Sequence, residues 1–144
     1  MKAPHLEILL PGIANTTYRI VSSEEPRYNC IAFAASKTDR FWWPSAVGPY
    51  YWPLATPRDE STNTFVEAFQ SIGFESCGDG EMEAGFEKVA FFAINDRVKH
   101  AARQLRSGKW VSKLGRLEDI EHELHAVESK DYGKVIAFMK RPIP

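Results

Sequence analysis

The segment FWWPSAVGPYYWP, residues 41–53, limits what this chain can fold into more than any other stretch. It holds three of the four tryptophans in the 144-residue sequence, together with two tyrosines and three prolines. Each proline lacks an amide donor and restricts the residue before it, so the segment can form neither a long helix nor a central strand. We therefore expect an ordered loop over residues 40–60, held in place by its rings.

Helical patterns lie on both sides of this loop. The run CIAFAAS favours a helix over about residues 29–36, and STNTFVEAFQSIGF, residues 61–74, has apolar residues at helical spacing. In the second helix Thr64 and Glu67 form a capping-box pair, and Gly73 is placed to end it. The first 25 residues have no clear helical pattern, and a short strand fits Tyr18–Val21.

The second half of the chain has strand-forming patterns. FEKVAFFAI is apolar and β-prone, HAARQL and KWVSKL are separated by a Gly-containing turn typical of a hairpin, and YGKVIAFMKR ends the chain. These strands are predicted at residues 86–94, 100–105, 109–114 and 132–141. Helices followed by an antiparallel sheet define the α+β class. We predict N-terminal helices packed on an antiparallel sheet of about four to five strands, in a single domain spanning residues 1–144.

LEDIEHELHAVE, residues 117–128, interrupts the strands. Its apolar residues recur at helical spacing, which predicts an amphipathic helix. His122 and His125 lie three residues apart on it and could ligate a metal, but the acidic residues around them favour a solvated face. No Cys-x-x-Cys or His-Glu-x-x-His spacing occurs, so we expect no metal site and no cofactor.

Composition narrows the classes of function. The formal net charge is −1 and no block of Lys or Arg occurs, so nucleic acid is not an expected partner. No long uninterrupted apolar run occurs, so no membrane span is expected. Pro11 and Gly12 break the N-terminal apolar stretch and Glu7 lies within it, which argues against a signal peptide. We expect a cytoplasmic protein, and delivery as an effector stays open.

Cys30 is the first candidate for chemistry, because it is expected at the start of a helix. The first N–H groups of a helix are unpaired and carry roughly half a positive charge, so they stabilise a thiolate. The same N–H groups can hold the oxyanion of an acyl-transfer intermediate. The alternative is that Cys30 is a small buried core residue, which is a common setting for cysteine.

His100 is the best candidate for the base that a nucleophilic cysteine needs. It stands at the start of a predicted strand, seventy residues after Cys30. We expect Cys30 to attack a carbonyl as the thiolate, with His100 as general base and later as general acid.

A helix-borne cysteine followed by a strand-borne histidine resembles the chain order of papain-like and NlpC/P60-like cysteine peptidases. YNCIAFA and the strand pair HAARQL–SGKWVSKLG look like the core of that superfamily in a small form. From about Arg27 onward the chain is also similar to an uncharacterised bacterial family that has the pattern YNCIA…HAARQL…KWVSKLG…DIEH. The resemblance implies a papain-like core and thiol hydrolase chemistry, which also occurs in toxins and effectors.

The same resemblance implies a third polar residue on the strand that follows the histidine strand. Ser112 is the occupant here, and Asp119, Gln104 and the backbone are alternatives for orienting the imidazole. A two-residue turn at 107–108 would put Ser112 on the opposite face from His100, whereas a three-residue loop would put both side chains on one face.

The expected binding residues flank Cys30 and fill the aromatic segment. The N–H of Cys30 is expected to hold the oxyanion, with Tyr28 or Asn29 as a further donor. Rings with polar handles suit half-buried sites, so the aromatic segment is expected to line the substrate groove; the alternative is a lid packed over the core. The groove residues are Trp42, Trp43, Tyr50, Tyr51 and Trp52.

These patterns together predict a cysteine-dependent hydrolase of amide or thioester bonds, acting on a peptide or protein amide substrate. The alternative is a non-catalytic protein-interaction module on the same scaffold, such as an immunity-type or peptide-binding protein. The bond that is cleaved and the oligomeric state stay open at this point.

Overall fold

The computed structural model of the chain describes residues 3–22, 28–36, 42–44, 50–53, 59–114 and 118–143. The α-helices are α1 (Pro4–Leu9), α2 (Cys30–Ala34) and α3 (Thr62–Gln70), and 3-10 helices cover Pro11–Asn15 and Leu124–Val127. The strands are β1 (Arg19–Ser22), β2 (Glu75–Cys77), β3 (Phe86–Ile94), β4 (Arg97–Gln104), β5 (Trp110–Lys113), β6 (Asp119–His122) and β7 (Lys134–Pro142).

The strands form one antiparallel sheet in the order β1-β6-β5-β4-β3-β7-β2. The α+β class is confirmed. The predicted strand number of four to five is wrong, because the sheet that the described residues form has seven strands. The two missed strands are β2, which has only three residues, and β6, which lies in a segment predicted to be helical.

The predicted helix over residues 117–128 is wrong for residues 118–128. Residue 117 lies outside the described ranges. Residues 119–122 form β6, and only a 3-10 helix follows at Leu124–Val127. β6 is paired on both sides, with Ile120 opposite Ile20 of β1 and opposite Ser112 of β5. Pairing with two neighbours outweighs a weak local preference for helix.

The two faces of the sheet carry separate apolar clusters. We call them the α2 face, which α2, α3 and the described part of the aromatic segment cover, and the α1 face, which α1 and the 3-10 helices cover. Side chains alternate between the faces along each strand, as in β3, where Phe91 belongs to the α2 face and Phe92 to the α1 face. This alternation decides on which side of the sheet each candidate residue lies.

The two predicted helices beside the aromatic segment are confirmed in type, with one change in capping. Asn29 caps α2, because its side chain accepts a hydrogen bond from the N–H of Ala32. In α3 the cap is Ser61, whose hydroxyl accepts from the N–H of Thr64, so the expected Thr64–Glu67 box is replaced by a cap three residues earlier. Gly73 has φ of +100°, which suits the residue after a helix end.

The N-terminal region is more regular than predicted, since residues 4–9 form α1 with Pro4 at its first position. The short strand expected at Tyr18–Val21 is present as β1, one residue later. Only 42–44, 50–53 and 59–60 of the expected 40–60 loop are described, and there the N–H of Trp43 donates to the carbonyl of Tyr51. No helix in the described ranges is both long and apolar enough to cross a membrane.

Candidate functional site

Cys30 is the first residue of α2 and lies in the cluster on the α2 face, where only 8% of it is exposed. Burial raises the pKa of its thiol to about 11. Hydrogen bonding from the backbone of Ala101 and from the first turn of α2, together with the charge of Lys113, opposes this rise without reversing it. The resting side chain is therefore a neutral thiol at neutral pH.

His100 lies on β4 and is fully buried. Its ring stacks on Tyr132, with centroids 4.0 Å apart and planes 4° apart, and packs against Phe92 across the strand pair. Nε2 lies 2.9 Å from Oγ of Ser112. Nδ1 is buried and has no hydrogen-bond partner among the described residues. Burial holds the pKa of the imidazole well below its usual value, so the ring is neutral.

The β4–β5 hairpin explains why Ser112 reaches His100. The N–H of Leu105 donates to the carbonyl of Lys109 at 2.7 Å, and Gln104 pairs with Trp110, so the loop has three residues. A three-residue loop puts position 112 on the same face as position 100. The structure thus adopts the longer of the two turns that the sequence left open, and Ser112 is the side chain bonded to the imidazole.

Sequence reasoning missed His122 as part of this cluster. Its Nε2 lies 2.7 Å from Oγ of Ser112, and its Nδ1 lies 2.8 Å from the carbonyl oxygen of Glu123. Burial lowers the pKa of His122 to about 4. The available signal was the alternation in DIEH, which puts Ile120 and His122 on one face of a strand, but the segment was interpreted with helical periodicity.

Asp119, the alternative orienter, lies elsewhere. Its carboxylate accepts a hydrogen bond from the hydroxyl of Tyr28 at 3.3 Å and pairs with Lys113, whose Nζ is 3.9 Å away. This buried ion pair belongs to the α2 face, on the Cys30 side of the sheet. Gln104, the other alternative, donates to the carbonyl of Gly80.

Cys30 and His100 lie on opposite faces of the sheet. His100 shares the α1 face with Phe92, whereas Cys30 is in the cluster on the α2 face. The pairing of β4 with β5 ends at Arg103–Val111, and the described residues beyond it on these two strands are not paired with each other. The backbone of Ala101, the residue after His100, hydrogen-bonds the thiol of Cys30.

Burial is the main cause of the raised pKa of Tyr132, the residue stacked on His100, and the charge that Cys30 carries as a thiolate adds to it. No hydrogen bond joins the thiol to the ring, since Nε2 is bonded to Ser112 and Nδ1 has no partner among the described residues. The structure thus brings Cys30 to the residue after His100 and leaves the sulfur and the ring unbonded.

The expected oxyanion donors are engaged in other contacts. The side chain of Asn29 caps α2, accepts from the N–H of Trp42 at 3.1 Å and donates to its carbonyl at 2.8 Å. The hydroxyl of Tyr28 donates to Asp119. The backbone N–H groups at the start of α2 are the donors that stay next to the thiol.

The described residues of the aromatic segment, 42–44 and 50–53, pack mainly as a lid over α3. Trp42 and Trp52 are buried, with rings 6.4 Å from Phe69 and 5.0 Å from Phe65 respectively. Trp43 is partly buried against Phe65, and Tyr51 against the ring of Trp42. Of the five expected groove residues, Tyr50 alone is exposed, with 42% of the residue accessible.

The open clefts on the surface lie away from Cys30 and His100. Three clefts of about 580, 680 and 260 Å³ lie on the surface, and neither Cys30 nor His100 lines any of the three.

His125 is exposed and pairs with Glu128, away from His122. In the ranges that the structure describes, no group of three or more His, Cys, Asp or Glu side chains is arranged to hold a metal ion.

Comparison with known proteins gives one match. A family model described as a domain of unknown function (DUF7689) matches residues 19–140, which cover β1 to β6, most of β7, and the side chains of His100, Ser112 and His122. No curated protein and no solved structure matches the chain.

Proposed function

The chain belongs to the family of that domain of unknown function (DUF7689), and from the site itself we propose that it is a cysteine-dependent hydrolase of amide or thioester bonds. Cys30 is the nucleophile, His100 the base, and Ser112 holds the imidazole on a papain-like arrangement of helix and sheet. One observation carries the proposal: Ser112 occupies Nε2 of His100, while Nδ1 has no hydrogen-bond partner among the described residues and lies one residue from the Ala101 backbone that hydrogen-bonds the thiol.

The chemistry starts from a neutral pair. Because the pKa of Cys30 is raised and that of His100 is lowered, the thiol keeps its proton until a carbonyl carbon is in place. The S–C bond then forms while the thiol proton passes to Nδ1 of His100, and backbone N–H groups at the start of α2 hold the oxyanion.

The second half of the reaction returns the proton. The tetrahedral adduct collapses, the bond to the leaving nitrogen or sulfur breaks, and Nδ1 of His100 protonates the leaving group. Water then attacks the thioester, Nδ1 takes one proton from it, and release of the acid restores the thiol. Peptide or protein amides are the substrate class that we propose.

A non-catalytic protein-interaction module is the second candidate. The observation that favours it is the burial of Cys30, together with the position of the three clefts away from it. On this alternative Cys30 is a core residue and a cleft on the sheet binds a partner peptide.

Alkylation by iodoacetamide separates the two candidates. In a Cys77→Ser background only Cys30 can react, and its rate at pH 7.5 is followed by mass spectrometry of the intact protein. We expect His100→Ala to slow the reaction about tenfold, because the base that removes the thiol proton is lost. His125→Ala, at an exposed histidine, is the matched control and should leave the rate unchanged.

The opposite result identifies the interaction module. If Cys30 reacts only as fast as the protein unfolds, and His100→Ala leaves the rate unchanged while circular dichroism shows both proteins folded, the hydrolase proposal is wrong. Single-domain unfolding rates from urea series supply that comparison.

A further inference from the structure

We propose that His122 is a positioning residue that fixes the tautomer of His100 through the hydroxyl of Ser112, so that the base of the site is Nδ1. The inference rests on the proposed function for its catalytic meaning, but the tautomers themselves do not depend on any activity. The three side chains come from β6, β5 and β4, which are adjacent strands, and they lie on the α1 face of the sheet.

The donor and acceptor in each of these hydrogen bonds follow from the backbone carbonyl of Glu123. The carbonyl oxygen of Glu123 can only accept, and it lies 2.8 Å from Nδ1 of His122, so Nδ1 carries a hydrogen. In a neutral imidazole the other nitrogen, Nε2, is then an acceptor. Full burial of His122 and its lowered pKa support the neutral ring.

The hydroxyl of Ser112 transmits this choice to His100. A serine hydroxyl has one hydrogen, and Nε2 of His122, 2.7 Å away, is the acceptor that takes it. The oxygen of Ser112 therefore accepts from His100, whose Nε2 at 2.9 Å must carry the hydrogen. His100 then has a bare Nδ1, the atom that a general base requires.

The reverse direction fits the structure less well. If Ser112 donated to His100, the hydrogen of His100 would sit on Nδ1, where no acceptor lies among the described residues. A buried N–H group without a partner is rarer and more costly than a buried lone pair. A protonated His122 would force that arrangement, because both of its nitrogens would be donors.

Loss of His122 should therefore remove the constraint that keeps His100 in the Nε2–H form. Without an acceptor at position 122, the hydroxyl of Ser112 can rotate and donate to Nε2 of His100. The ring then carries its hydrogen on Nδ1 and cannot take the thiol proton. A residue that only filled space would leave the tautomer of His100 unchanged.

The test is ¹⁵N NMR of the histidine rings, because long-range proton–nitrogen correlations distinguish the two tautomers. In the wild-type protein at pH 7.5 we expect the Nδ1–H form for His122 and the Nε2–H form for His100. In His122→Phe the signals of His100 should move toward the Nδ1–H form, and Cys30 alkylation should slow in proportion to the Nε2–H form that is lost. His125→Phe is the matched control and should change neither.

The wild-type spectrum alone can overturn the proposal, so a His122→Phe variant that failed to fold would not protect it. Finding His100 as the Nδ1–H tautomer in the wild-type protein, or as the unchanged Nε2–H tautomer in folded His122→Phe, contradicts it. If the NMR shows the expected tautomers but Cys30 alkylation does not depend on His100, the effect of His122 on the tautomer is supported and the hydrolase proposal is wrong. Reversed tautomers with alkylation that depends on His100 remove the positioning role and Nδ1 as the base, and leave only the dependence of the Cys30 thiol on His100.

Discussion

Asn29, the residue before the candidate nucleophile, joins two parts of the chain through one amide. Its oxygen accepts from the N–H groups of Ala32 and Trp42, and its nitrogen donates to the carbonyl of Trp42. Because α2 has only five residues, its geometry depends on this cap more than that of a longer helix would. The position of Cys30 therefore depends on Asn29.

Replacing this side chain tests that dependence. Asn29→Ala removes a helix cap, which typically costs about 1 kcal/mol, and two more hydrogen bonds of about 1 kcal/mol each, so we expect a loss of about 3 kcal/mol. Urea denaturation at pH 7.5 measures it. Asn63→Ala, whose amide makes an exposed bond to Glu67 on α3, is the matched control and should cost less than about 0.5 kcal/mol. Equal midpoints for the two variants would show that Asn29 does not hold α2.

Residue types predicted part of the candidate site, and pairing geometry decides the rest. Cys30 and His100 were predicted from their chemistry and order along the chain and Ser112 from the resemblance, and Ser112 does bond His100. His122 was missed because a histidine in an acidic segment gives no local sign of burial. The face of the sheet on which Cys30 lies depends on which strands pair, and no single segment encodes that.

At the scale of elements, the length of the β4–β5 loop decides whether Ser112 lies on the same face of the sheet as His100. A two-residue and a three-residue loop differ by one position in register, and this difference moves every β5 side chain to the other face. Ser107 and Gly108 are compatible with both loops. The sequence of β3 was predicted within its observed bounds because its apolar run is long, whereas β6 has four residues and depends on β1 and β5 for its conformation.

Gly133, just before β7, is a position where both the backbone conformation and the close packing require glycine. It has φ of +77°, and a Cβ there would lie 2.0 Å from the carbonyl oxygen of Ala93, beside the register shift between β3 and β7. It also follows Tyr132, which stacks on His100. Any shift of this turn to accommodate a side chain would therefore disturb the imidazole.

Two alanine variants separate the backbone effect from the collision. Gly85 has φ of +84° and open space around it, so Gly85→Ala should cost about 1 kcal/mol from the left-handed conformation alone. Gly133→Ala adds the collision with Ala93, and we expect a total loss above about 3 kcal/mol. Thermal and urea denaturation of both variants measure the difference. Similar losses would mean that the turn at Gly133 relaxes freely.

At the scale of the whole molecule, the sheet buries polar groups on both faces. The His100–Ser112–His122 cluster lies on the α1 face, and the Lys113–Asp119 pair lies on the α2 face. Both are built from β5 and its neighbours β4 and β6. The central strands thus combine apolar packing with polar groups whose protonation must match the folded state.

This requirement predicts a loss of stability in mild acid. Below about pH 6.5 an unfolded histidine binds a proton, whereas His122, with a pKa of about 4, and His100, with a pKa well below 6.5, stay neutral in the folded protein. The unfolded state then binds more protons, so the free energy of unfolding falls as the pH falls. Between pH 7 and pH 5 each buried histidine should remove about 2 kcal/mol, which gives about 4 kcal/mol for both.

Urea denaturation at pH 7, 6 and 5 checks this loss in a window above the usual pKa values of carboxylic acids, so that acid titration contributes little. His122→Gln should reduce the loss to about half, because one of the two histidines no longer titrates in the unfolded state. His125→Gln, which removes an exposed histidine, should keep the contribution of the buried pair. A free energy of unfolding that stays constant from pH 7 to pH 5 would mean that the cluster takes up protons in the folded state, and the neutral pair from which both the general base and its tautomer were derived would then be wrong.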